Sequence, residues 1–201
     1  MKKYYTIPAL LFVVIISSFK YQDNKEDVKD YISVPGPVRF GNVNYNLAWS
    51  SHPADNYYKQ EYLAKGDSLG HFNKMVLIDV LNDTVKPKDL VDLKLHDLAQ
   101  RKKVDPVVNY NLIQSPDSSE YILDFVESEG TPKVDFVEWN VYRYKTFSDI
   151  EGHKGVLLFG MSIRAYGDKA PGFFGSLRDT RASVTNQLIN FKIPPILIKD
   201  N

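Results

Sequence analysis

The 201-residue chain contains no cysteine. Disulfide frameworks, cysteine nucleophiles and thiolate metal sites are therefore excluded. It has no excess of either charge: 25 Lys and Arg balance 25 Asp and Glu. A protein that grips nucleic acid by neutralising phosphates needs a basic surplus, so no nucleic-acid partner is expected. Histidine is scarce. His52, His71, His96 and His153 are far apart in sequence, so no pair has metal-ligand spacing and no metal is expected. No phosphate-binding loop and no dinucleotide fingerprint is present, and no cofactor is expected. Gly160-Met161-Ser162-Ile163-Arg164 and Gly172-Phe173-Phe174-Gly175-Ser176 are the nearest approaches to a G-x-S-x-G nucleophile elbow. Neither completes it, and no catalytic residue is assigned.

What the chain does have begins with an address. Lys2 and Lys3 precede an apolar run of about ten residues, Ile7 to Ile16, and the small residues Ser17 and Ser18 follow. A membrane span needs roughly twenty apolar residues. The pattern predicts a secretory signal over 1–18, removed on export, with no span left in the mature chain and a periplasmic or extracellular location. Residues 19–30 are polar and read as a flexible spacer. Residues 31–201 are then expected to form one domain.

Within that domain, Ile32 to Val34 and Val38 to Phe40 flank a Pro-Gly-Pro break and read as an extended entry or an edge strand. Tyr45 to Ser50 and Asn56 to Leu63, around the turn cluster Ser51 to Asp55, predict a hairpin. Ser68 is placed to cap a short helix through Phe72, ahead of an apolar strand, Met75 to Leu81. Pro87 suits the first turn of a helix whose face carries Val91, Leu95 and Leu98. Four strands follow: Val107 to Ile113, Glu120 to Glu127, Val134 to Lys145 and Gly155 to Tyr166. Their separators carry turn residues, so neighbours are expected to be antiparallel. A loop from Gly167 to Gly175 leads to a last helix, capped by Ser176, with Leu177, Val184, Leu188 and Phe191 on one face. The sum is α+β: a mainly antiparallel sheet of about six or seven strands with two main helices. If the helices take opposite faces, the result is a three-layer α/β/α sandwich.

Three carboxylates, Asp79, Asp124 and Glu138, interrupt otherwise apolar strands. Asp79, between Ile78 and Val80, is the sharpest. An outward or strand-end position is the ordinary outcome, but a buried carboxylate without a partner would have a raised pKa and mark a site. Aromatic residues make up 13% of the chain, with thirteen tyrosines, and they cluster on strands. Cross-strand pairing accounts for such clusters; a binding surface is the functional alternative, because Tyr and Trp anchor interfaces. The candidate contact residues are Trp49, Tyr58 and Tyr62, with Arg143 and Arg164 on neighbouring strands, and Phe173 and Phe174 in the glycine-rich loop.

The stretch Glu61-Tyr62-Leu63-Ala64-Lys65-Gly66-Asp67-Ser68-Leu69, with Trp49 before it and Phe72 and Met75 after it, resembles the Mog1/PsbP-like group, which includes exported proteins of the DcrB type. That resemblance implies an α/β/α sandwich and a binding or accessory role without shared catalytic residues. The sequence reading is thus an exported non-enzymatic domain contacting a protein or envelope component. A hydrolase with a site assembled from distant strands, or a carrier of a small apolar ligand, are the alternatives. The hydrolase predicts a pocket where a histidine or strained carboxylate meets a second polar group.

Overall fold

A computed structural model describes residues 28–130 and 133–199. The expected signal over 1–18 and most of the expected spacer lie outside the described residues. Eight strands and two helices follow the order β1 (Val38–Phe40), β2 (Val43–Ala54), β3 (Tyr57–Ala64), β4 (Lys74–Leu81), α1 (Pro87–Arg101), β5 (Asn109–Gln114), β6 (Glu120–Glu129), β7 (Phe136–Ser148), β8 (Lys154–Tyr166) and α2 (Ala170–Ile189). All eight strands form one sheet in the order β1-β2-β3-β4-β8-β7-β6-β5, and every neighbouring pair is antiparallel. The chain therefore makes two four-stranded meanders. The connection through α1 carries it from β4 in mid-sheet to the far edge, and β8 returns to pair with β4.

The expectation of six or seven strands in a three-layer sandwich is overturned: eight antiparallel strands form a sheet curled into a half-barrel, with two helices. Two physical reasons account for the difference. Gly41, at φ +59°, closes a tight turn that folds Val38–Phe40 onto Val43–Tyr45, so the entry segment supplies the eighth strand. Eight strands about 4.8 Å apart span roughly 34 Å, whereas a helix is only about 10 Å wide. Two helices cannot cover such a sheet. α1 lies over β6 and β7, and α2 over β7 and β8. The rest is protected by curl, which register irregularities in the 12-residue β2 at Leu47/Trp49 and Ser51/Ala54 assist.

The sheet has a core on each face. On the α2 face, Tyr62, Val76, Ile78, Val141, Phe159 and Met161 pack with Leu188, and with Ile32, Val34 and Ile198 from the two ends of the described chain. Those ends are held by backbone pairing, Leu197 to Ile32 and Lys199 to Tyr31. The N-terminal end is also held by Gln60, a fully buried side chain whose Oε1 accepts the Tyr31 and Ile32 amides and whose Nε2 donates to the Val34 carbonyl and the Tyr62 hydroxyl. The C-terminal segment is thus partly core, through Ile198. On the α1 face, Leu63, Leu77, Leu123, Phe125, Tyr144 and Leu158 pack with Val91 and Leu98.

Two local expectations also change. Ser68 to Phe72 forms no helix. Gly66 takes φ +98°, the Asp67 carboxylate accepts the Asn73 amide and side-chain N–H, and Ser68 bridges His71. The last helix begins at Ala170, well before Ser176, with Pro171 in its first turn. Glycine is a poor helix former, but burial of Ala170 and Phe173 in the α2-face core outweighs it.

Candidate functional site

The site grows from the alternation of side chains along β3, β4, β7 and β8. Register sets Lys59 beside Asp79, Leu158 and Tyr144 in one row, and Glu61 beside Leu77, Gly160 and Tyr142 in the next. These rows face α1. The helix is fixed at its ends by Pro87, Val91 and Leu98, and between its Leu90, Leu93, Lys94 and Asp97 and the sheet lies a cavity of about 210 Å³. Gly160 has a packing reason to be glycine: a Cβ there would come within 2.7 Å of the Tyr142 ring and 3.0 Å of the Leu77 side chain. The Tyr142 ring uses that space and meets Phe125 edge-on, centroids 5.1 Å apart.

One end of the cavity is closed by a satisfied polar network. Tyr142 Oη and Ser162 Oγ both donate to Asn140 Oδ1, at 3.1 and 2.5 Å, and Asn140 Nδ2 donates to Glu138 Oε1 at 3.0 Å. Glu138 pairs in turn with Arg164. The Arg164 guanidinium sits between the rings of Phe72 and Phe136, 4.2 Å from each centroid. Burial works against its charge, but the Glu138 carboxylate prevails and holds its pKa above the ordinary value.

Two carboxylates at the other end, Asp79 and Glu61, are less well satisfied. Asp79 is only 8% exposed. Its Oδ2 accepts the Tyr57 hydroxyl at 2.7 Å, with Lys59 Nζ looser at 3.8 Å. Its Oδ1 is buried without a hydrogen-bond partner. Burial pushes the Asp79 carboxyl up against the opposing pull of Lys59 and Tyr57. Glu61 accepts no hydrogen bond from any described residue, and burial raises its pKa to about 7, Lys59 opposing and the neighbouring Asp79 adding to the rise. Glu127 is raised as well, first by burial. A carboxylate that has lost water and gained no donor is poised to take one from a ligand.

The residues expected from sequence do not converge on this site. Tyr58 and Tyr62 are buried on the α2 face, Tyr58 stacked on His52 at 4.3 Å and Tyr62 donating its hydroxyl to the Val34 carbonyl. Arg143 forks onto Glu120 and donates to the Phe191 carbonyl just beyond α2, where a cation suits the helix terminus. Arg143 and Arg164 therefore stand on opposite faces. Trp49 is half-buried beside Glu61 in the register, Phe173 is buried, and Phe174 is 43% exposed. Only Arg164 lines the cavity. Asp79 is the group that its apolar flanks had marked. Tyr57, Lys59 and Glu61 gave no such signal, since polar alternation in a strand ordinarily reads as a solvated face.

The described residues contain no group of three or more His, Asp and Glu able to hold a metal, and none of their helices is long and apolar enough to cross a membrane. A protein-family model matches residues 32–193, nearly the whole described fold. The chain belongs to that family. No curated protein and no solved structure matches it. Both meanders, both helices and every polar group of the cavity fall inside the span of the family.

Proposed function

We propose that this is a non-catalytic binding domain, acting outside the cytoplasm, that takes a small molecule into the cavity between α1 and the sheet. The observation that carries the reading is the buried Asp79 carboxylate, lining a partly enclosed space with one oxygen unpartnered. Residual unsatisfied groups of this kind are rare in folded proteins. Their usual use is in a site. The hydrolase alternative is less well supported. No histidine lines the cavity, and Ser162 donates its proton to Asn140 rather than to a base. The lead to the Mog1/PsbP-like group agrees with a binding or accessory role and is carried by the residues from Glu61 to Leu69 together with Phe72 and Met75.

The test is a fragment screen followed by protein NMR, run beside a Leu90→Trp variant that fills the cavity from its roof. Fragments are expected to shift resonances of Leu77, Tyr142 and Leu158, and the variant to abolish those shifts. Fragments that bind the variant unchanged, or none that perturb these residues, would count against the cavity. Recovery of the native protein in the cytoplasm with residues 1–18 intact would count against export.

A second contact, with a protein or envelope component, is favoured by β5. This strand closes the sheet with an open edge, all six of its residues are exposed, and Tyr110, Leu112 and Ile113 present apolar side chains without an intervening charge. Such edges accept a further strand unless they are guarded. Site-specific crosslinking from Leu112 in intact cells should capture a partner, and Ile113→Lys should lose it. Capture that survives the lysine would remove the edge from consideration.

A further inference from the structure

We infer that the ligand of the cavity is a compact organic cation: a protonated amine on a short apolar body. The inference rests on the cavity being a binding site and adds what the site selects. Five carboxylates line it against three cationic side chains. Two of those cations are already engaged, Arg164 with Glu138 and Lys94 with Asp97 at 3.1 Å. The third, Lys59, stands 3.8 Å from Asp79, beyond hydrogen-bond length, and its side chain is about one-third exposed, so it can swing outward.

What remains unused is acceptor capacity. The Glu61 carboxylate has no donor, and Asp79 uses only Oδ2, for the Tyr57 hydroxyl. The two are diagonal neighbours on adjacent strands, since Asp79 pairs with Lys59 and Glu61 lies two residues along. Diagonal side chains on one sheet face come within mutual reach. A single ammonium has three N–H donors and can serve both. An anion would meet five carboxylates, and a neutral alcohol would leave at least one acceptor dry. The walls beside this pair are Leu77, Leu158 and Leu90, with the rings of Tyr142 and Tyr144. They fit an apolar body, and aromatic rings also attract a cation. The space is equivalent to about seven water molecules at roughly 30 Å³ each, which limits the ligand to the size of a small arylalkylamine.

Calorimetric titration of the whole protein with three near-isosteres tests this: phenethylamine, phenethyl alcohol and phenylacetate. The amine is expected to bind at least about tenfold more tightly than the alcohol, a difference of about 1.4 kcal/mol, and phenylacetate not at all. Glu61→Gln and Asp79→Asn are each expected to cost the amine about tenfold and the alcohol, which loses no charge pairing, much less; Glu61→Gln serves alone if the other variant does not fold. Alcohol or phenylacetate binding as tightly as the amine, or amine affinity indifferent to Glu61→Gln, overturns the cation and leaves the cavity reading standing. Failure of all three compounds at millimolar concentration overturns the cation for this size class, and the fragment screen then decides the cavity separately.

Discussion

Replacing Glu61 by glutamine should make the empty protein more stable. The native state holds the Glu61 proton with a pKa near 7, against 4.5 in an unhindered chain, because burial penalises the ion. An acid whose pKa is raised by folding binds protons more tightly when folded, so stability falls as pH rises from 4.5 and the loss is complete once pH passes 7. Each pKa unit is worth about 1.4 kcal/mol, which places the full loss on the order of 3 kcal/mol. The groups that face Glu61 are Lys59 on its own strand, Asp79 on β4, Glu138 on β7, Arg164 on β8, and Lys94 and Asp97 on α1. None donates a hydrogen bond to it. Urea unfolding of the two proteins from about pH 4 to about pH 8 should therefore show curves that coincide in acid and separate towards neutrality, glutamine the more stable. Equal stability at alkaline pH would show that Glu61 is solvated and would withdraw it from the site. A residue that weakens the fold and improves a site is the expected trade between stability and function.

Leu98→Ala should produce the largest loss of stability on α1. Leu98 is fully buried, and it and Val91 are the two α1 side chains buried in the core on that face, with Leu90 and Leu95 packed beside them. Removing such a leucine costs about 3–5 kcal/mol, through lost transfer energy and the cavity left behind. Leu93→Ala, on the same helix at 57% exposure, should stay within about 0.5 kcal/mol of the parent. The urea midpoint reads both. The Leu98 variant should also lose affinity for whatever the cavity holds, since the roof is anchored through that side chain. Similar losses for the two leucines would mean that α1 does not use the assigned face.

Hydrophobic alternation and turn residues made much of this architecture legible in advance. The strands from Met75 and from Gly155, the helix opened by Pro87 and the C-terminal meander all follow from them. Short patterns failed where distant contacts decide. Val38–Phe40 reads equally as an extended entry or an edge strand, and only the turn at Gly41, which folds it back onto β2, decides for the strand. Gly167 to Gly175 reads as a loop until Ala170 and Phe173 are seen to bury. Asp79 was conspicuous because apolar residues flank it. Glu61 was not, because Lys59, Gln60 and Glu61 look like the wet side of a strand. Gln60 lies in one core and the other two face the cavity. With a helix over each side of the sheet, alternation no longer distinguishes inside from outside.

The backbone contact between Tyr31 and Lys199 has a practical consequence. Tyr31 and Lys199 lie side by side beside the core of the α2 face, on the side of the sheet away from α1. A bead, a sensor chip or a lipid sheet coupled at either point would attach on the opposite face of the sheet from the cavity beneath α1, and would not compete with a diffusing solute for that face.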